Sequence, residues 1–265
     1  MRFIKRRLGR KGVLILIGIL VGGSVILGFL LDVGAAGVPV GTGWLASIGA
    51  RVPTIGIIYI DGIISGGTSS SGLFGVTTGS DDVVAYLKEA TDDPSVRAVV
   101  LRVNSPGGSA PAAQEISREI QKLKDAGKAV VVSMGDVAAS GAYYISAGAD
   151  MIMANPGTIT GSIGAIMSVT NVEELYRKIG VREETIKSGP HKDIGSGTRP
   201  MTEEERRILE ELVNTVYRQF LEAVANGRGM SLEELKPIAD GRILTGSQAK
   251  EVGLVDEIGN FQDAI

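Results

Sequence analysis

The chain has 265 residues, 44% of them hydrophobic, with 37 glycines, one histidine, no cysteine and a formal charge of −3, enough for one sizeable domain with a real core. The missing cysteines exclude disulfides, thiolate zinc sites and a cysteine nucleophile, and a single histidine excludes an H-E-x-x-H zinc site. Few aromatics, and 21 basic against 30 acidic residues beyond residue 31, argue against nucleic-acid binding.

Residues 1–12 hold six basic residues and no acid. Residues 13–31 (VLILIGILVGGSVILGFLL) follow without a charge. A bilayer core needs ~20 apolar residues, so this run is expected to be a transmembrane helix. Positive flanks stay cytoplasmic, which places 1–12 inside and the rest of the chain outside the cell membrane. A cleaved signal peptide is the competing reading. Its apolar region is shorter, roughly 7–15 residues, although Gly34-Ala35-Ala36 could supply a cleavage site.

Residues 32–52 are Gly/Ala-rich and read as a tether to a domain over 53–265. The β-branched run 54–60 (TIGIIYI) predicts a buried strand, turning at Asp61-Gly62. The Gly/Ser/Thr-rich stretch 65–80 is expected to be a mobile loop. Helices over 82–90, 112–126, 140–147 and 172–179 then alternate with strands over 98–103, 129–133, 151–154 and 185–187. That alternation indicates an α/β fold with parallel pairing.

Thr202 and Glu205 fit a capping box. A long amphipathic helix over 203–226 follows, with Ile208, Leu209, Leu212, Val213, Val216, Phe220 and Val224 on its apolar stripe and Gly227 and Gly229 as stops. The stripe packs either on the chain's own core or on a partner. A short helix covers 231–238.

Ser140, in GDVAASGAYY, is the candidate nucleophile. A hydroxyl needs a neighbouring base, small neighbours allow close approach, and a helix starting there aims free N–H groups at developing negative charge. Such Ala/Gly/Ser runs also build plain packing helices. No G-x-S-x-G is present, which disfavours an α/β-hydrolase elbow. Residues 104–109 (NSPGGS) lie between a strand and a helix, where Pro and Gly make an ordinary turn or one that presents amides to an oxyanion.

Lys192 is the candidate base, which requires a neutral amine, and burial in an apolar site favours that form. Most lysines are instead exposed. Ser162, in TGSIG, could hydrogen-bond such an amine, or be a turn serine. A Ser–His alternative through His191 and Asp193 ranks lower, because neighbours two apart rarely form extended triad geometry.

The segments RVNSPGGS (102–109), AASGAYYIS (138–146), TGSIG (160–164) and SGPHKDIGS (188–196), with GRGM (227–230) and ADGRILTGSQAKEVGLVDEIG (239–259), resemble the signal peptide peptidase A family, short single-domain type. That family is similar in fold to the Clp protease and crotonase group. The resemblance implies a membrane-bound serine endopeptidase with a Ser–Lys dyad that degrades released signal peptides and short apolar peptides. It implies Ser140 as nucleophile, Lys192 as base, Ser162 as the hydroxyl that orients the lysine, and Gly107 and Gly141 as oxyanion donors. It implies no metal or other cofactor, no nucleic-acid partner, and a ring-like homo-oligomer. Family members usually continue past the position of Ile265. Two other functions compete: a crotonase-like acyl-CoA hydratase or isomerase, which would use carboxylates, and a non-catalytic membrane scaffold.

Overall fold

The computed structural model describes residues 4–7, 52–73 and 75–265. The expected transmembrane segment 13–31, and the tether up to residue 51, lie outside the described residues. Among those described, no helix is long and apolar enough to cross a membrane.

The strands in chain order are β1 (Ile4–Arg7), β2 (Thr54–Asp61), β3 (Ile63–Ser65), β4 (Ser70–Gly72), β5 (Gly75–Gly79), β6 (Val96–Ser105), β7 (Ala129–Ala139), β8 (Met151–Ala154), β9 (Ile159–Gly161), β10 (Ile243–Thr245) and β11 (Glu257–Ile258). The helices are α1 (Ser80–Asp92), α2 (Ala110–Asp125), α3 (Gly141–Ala147), α4 (Glu173–Lys178), α5 (Glu203–Arg228), α6 (Leu232–Leu235), a 3₁₀ turn at Lys236–Ile238, and α7 (Gly246–Glu251).

The main sheet runs β1-β2-β6-β7-β8-β11, parallel from β2 onward. This is the expected α/β architecture with a parallel sheet, and it fits a Clp protease-like fold. Crossover helices require such parallel strands to be buried, so they read as near-continuous apolar runs. Val99, Leu101 and Val103 of β6 and Val130, Val132 and Met134 of β7 form one core with Val83 and Leu87 of α1 and Ile116, Ile120 and Leu123 of α2. Each such side chain, fully buried, contributes ~1.5–3 kcal/mol.

Strand β7 serves two neighbours. Val131–Ser133 pair with β8, and Val137–Ala139 pair with β9, which is in turn antiparallel to β10. The strand therefore leaves the main sheet line and delivers its C-terminal end, and α3 behind it, beside the end of β6. Ser105 and Ala138 are register partners there. Ligand sites in parallel sheets form outside the carboxyl ends of the strands.

Three local expectations change. The described residues of the stretch 65–80 are folded, because polar groups bond locally: Thr78 donates to the Asp61 carbonyl at 2.7 Å, and the Ser69 amide donates to Asp82 at 2.7 Å. Strands β3, β4 and β5 form a small sheet from it. The short strand over 185–187 does not form, and no described strand pairs with those exposed residues. Gly227 does not stop α5. It lies inside the helix, where a Cβ would come within 2.2 Å of the Ala147 carbonyl oxygen, so it permits close packing on α3. Gly229, left-handed, ends the helix.

Strand β1 pairs antiparallel with the edge of β2, Ile4 opposite Ile57 and Arg7 opposite Thr54. Part of the basic segment thus lies against the sheet. A single crossing by 13–31 would put that segment and the sheet on opposite sides of a bilayer, so this pairing and the expected topology exclude each other.

Candidate active site

Strand β6 ends in Ser105, and the Pro106-Gly107-Gly108 turn leads to α2, capped by Ser109 with Pro in its first turn. The turn is pinned from the side by β3: the Ile64 amide donates to the Gly107 carbonyl, and the Ser109 amide donates to the Ile64 carbonyl, both at 2.9 Å. Gly107 has φ +98°, and a Cβ there would stand 2.7 Å from the Gly141 nitrogen and 2.8 Å from Ser140 Cβ. Only glycine allows that approach.

Ser140 is the N-cap of α3, at φ 55° and ψ −125°. Its amide donates to the Gly161 carbonyl at 2.9 Å, and its carbonyl accepts from the Tyr144 amide at 2.9 Å. The Gly141 amide, at the first helical position, has no acceptor within the helix. The Gly107 amide donates to the Ser105 hydroxyl at 3.1 Å.

Ser162 follows β9, also left-handed at φ 51°. Its amide donates to the Arg242 carbonyl at 2.8 Å, and the Gly241 amide donates to the Ile163 carbonyl at 3.1 Å. That second turn is braced by Asp240, whose carboxyl is held near 2 by the Arg242 side chain. Among the described residues Ser140 and Ser162 are the two non-glycine residues with positive φ. Backbone held in such regions costs of order 1–3 kcal/mol and concentrates at functional sites.

Both serines line one cleft of about 770 Å³. Its far wall is apolar: Ile163, Met167, Leu212, Val216 and Phe220, with the Tyr144 ring 5.3 Å from Phe220. Asp240 is the carboxylate among its described lining residues, and Arg242 occupies it. An adjoining cleft of about 720 Å³ shares Ile166, Met167, Val213 and Asn214 with the first.

The structure thus brings together Ser140, Gly141, Gly107 and Ser162. It does not bring Lys192 to them. Lys192 is exposed in the segment between α4 and α5 and lines neither cleft. His191 does not line the clefts either; its Nε2 faces Glu204 at 3.6 Å. Sequence reasoning missed the Asp240–Arg242 brace behind Ser162. It also missed the charge cluster of Lys187, Asp193, Arg199 and Glu205 beside Lys192. The capping box signalled Glu205, but nothing local in the sequence ties Arg199 to it.

The model of "Peptidase family S49" matches residues 122–265. A putative protease of Synechocystis sp. is 44% identical over 189 residues, 71% of this chain and 68% of that protein. A putative signal peptide peptidase of Enterococcus faecium is 41% identical over 218 residues, covering 82% and 63%. Protease 4 of Salmonella typhi is 40% identical over 212 residues, 80% of this chain but 34% of that longer protein.

Proposed function

The chain belongs to peptidase family S49 and is a serine endopeptidase, and from that premise we propose that Ser140 is its nucleophile and Lys192 its general base. The observation that carries the reading is the pair of strained serines opening on one apolar cleft, with Gly107 and Gly141 packed against the first of them.

The neutral Lys192 amine takes the Ser140 proton as the oxygen attacks the scissile carbonyl. The Ser162 hydroxyl accepts from the amine and aims it. The Gly141 N–H stabilises the oxyanion, and the Gly107 N–H joins it by exchanging the Ser105 hydroxyl for the substrate oxygen. The ammonium then returns the proton to the leaving amine. The ester on Ser140 is hydrolysed by water, with Lys192 again the base.

Lys192 reaches this cleft in a homo-oligomer, from a neighbouring protomer. What supports this is the exposed apolar arm that carries it: Ile166 is 93% and Ile186 96% exposed, with Leu175, Ile179 and Val181 also open. The first half of α5 adds uncovered Ile208 and Leu212. Closure by a second copy would desolvate the lysine and favour its neutral form.

The apolar wall suits short apolar peptides, and released signal peptides are the substrates we propose, in line with the name of the Enterococcus relative. Residues 13–31 would hold the enzyme at the cell membrane with its catalytic domain outside, which requires β1 to leave the edge of β2. Against the acyl-CoA alternative stands the cleft's single described carboxylate, Asp240, which is neutralised by Arg242.

The test is a peptidyl phosphonate, with the modified residue identified by mass spectrometry. Ser140 is expected to carry the label. Label on another residue with loss of activity, or hydrolysis that survives full labelling of Ser140, would overturn the assignment.

A further inference from the structure

The base proposed above sits in a segment with little regular structure. Between α4 and α5 the chain makes only turns: the Lys192 amide donates to the Gly189 carbonyl at 3.3 Å, Ile194 to His191 at 3.1 Å, and Ser196 to Asp193 at 2.9 Å. Such a segment alone would open easily. A charge cluster one residue from Lys192 ties it down. Asp193 accepts from Lys187 Nζ at 2.6 Å and from Arg199 Nε at 2.9 Å. The Arg199 guanidinium also donates to both oxygens of Glu205, which is 2% exposed at the start of α5. Glu205 also accepts from the Thr202 amide at 2.9 Å.

The cluster holds two cations and two carboxylates. Arg199 and then Lys187 hold Asp193 far below the usual carboxylate range, and Arg199 holds Glu205 near 2. His191 Nε2 and Glu204 face each other at 3.6 Å on this face, and Arg206 and Glu210 line the adjoining cleft with Arg199. Asp193 is thus a full negative charge next to Lys192 in sequence, cancelled by Lys187 and Arg199. Uncancelled, it would favour the protonated amine and oppose its use as a base.

We propose that Lys187 and Arg199 are positioning residues for Lys192: they pin its segment to the start of α5 through Asp193 and Glu205, and they cancel the Asp193 charge beside it. This rests on Lys192 being the base.

The test is the pH profile of kcat/KM for peptide hydrolysis by the full chain in detergent. Lys187→Met leaves Asp193 undercompensated, so the rising limb is expected to move to higher pH by about half a unit or more. Asp193→Asn leaves excess positive charge, so the limb is expected to move to lower pH. Arg199→Lys keeps the charge and should hold the limb near its wild-type position. A merely structural role would scale the profile down with the limb fixed, or move it in the same direction for both charge changes, and either result overturns the proposal. If Asp193→Asn does not fold, the Lys187→Met shift decides alone, since Lys187 is a partly exposed side chain. Lys192→Met separates the two readings. Substantial activity in that variant removes the base itself, whereas an inactive Lys192→Met with an unmoved limb in Lys187→Met removes only the positioning role.

Discussion

Gly107 and Ser140 share one contact: a Cβ on the glycine would stand 2.8 Å from Ser140 Cβ and 2.7 Å from the Gly141 nitrogen. The carboxyl end of β6 and the start of α3 are therefore built to touch at the proposed nucleophile. Gly107→Ala adds both a left-handed strain and a clash against backbone. It should lower kcat/KM by about 10²-fold or more, the usual cost of disturbing one oxyanion donor. Gly127→Ala is the control. Gly127 is also left-handed, at φ +76°, but has nothing within 4 Å of its Cβ position. It should lose stability and keep its rate once folded. A Gly107→Ala enzyme as fast as that control would remove the turn from the site.

Much of this was legible in the sequence. The run 151–154 forms a strand over those same residues, and Thr202 with Glu205 makes the predicted capping box. These signals are local, set by β-branched runs and by a side chain reaching three residues. Ser140 was legible as a helix start from the small-residue run that follows it, although its side chain makes no capping bond. Strands β9 and β10 were not, because each is only three residues long and each depends on partners far along the chain. The left-handed backbone of Ser162 was hidden likewise, since Arg242 and Gly241 hold it from eighty residues away. The stripe on α5 was half right. Phe220 and Val224 are buried, while Ile208 and Leu212 face out, because the core ends midway along a helix ~39 Å long.

Glu205 carries a pH prediction. Its carboxyl is lowered from an ordinary 4.5 to about 2, chiefly by Arg199. A depressed carboxylate stabilises the fold fully above its unfolded value and loses that contribution as pH falls through the folded one. Glu205→Gln should therefore melt below the wild type at neutral pH. The gap should narrow as pH falls from about 4.5 and nearly close at about 2. Thermal melts by circular dichroism across that range would show it. A gap that stays constant, or widens in acid, would mean that the Arg199 pairing is not what lowers this group.

Topology can be read cleanly, because the chain has no cysteine of its own. A single Lys5→Cys should be shielded from a membrane-impermeant maleimide applied outside intact cells. Ser71→Cys, exposed on β4, should be labelled. That pattern would place the basic segment in the cytoplasm and the catalytic domain outside. It would also mean that β1 is not on the sheet edge in the anchored protein. External labelling of Lys5→Cys would keep Ile4–Arg7 with the domain and discard the proposed anchor orientation.

The last prediction concerns where the dyad is assembled. Within one chain Ser140 lines the cleft, and Lys192 is exposed and does not. The amine has to reach Ser140, so either the arm folds back or a second copy supplies it. The arm's open Ile166, Leu175, Ile179 and Ile186 favour the second route, since an interface would take this apolar surface out of water. Ser140→Ala and Lys192→Met chains should each be inactive alone. In a cyclic assembly, each site would take its serine from one protomer and its lysine from the next. Equal random mixing then leaves both partners intact in about a quarter of sites, so activity should return to about that fraction of wild type. Co-assembly is verified by two affinity tags on the mixed particle. Proven mixed particles without activity would put both residues in one chain. A fully active monomer would remove the interface from the mechanism.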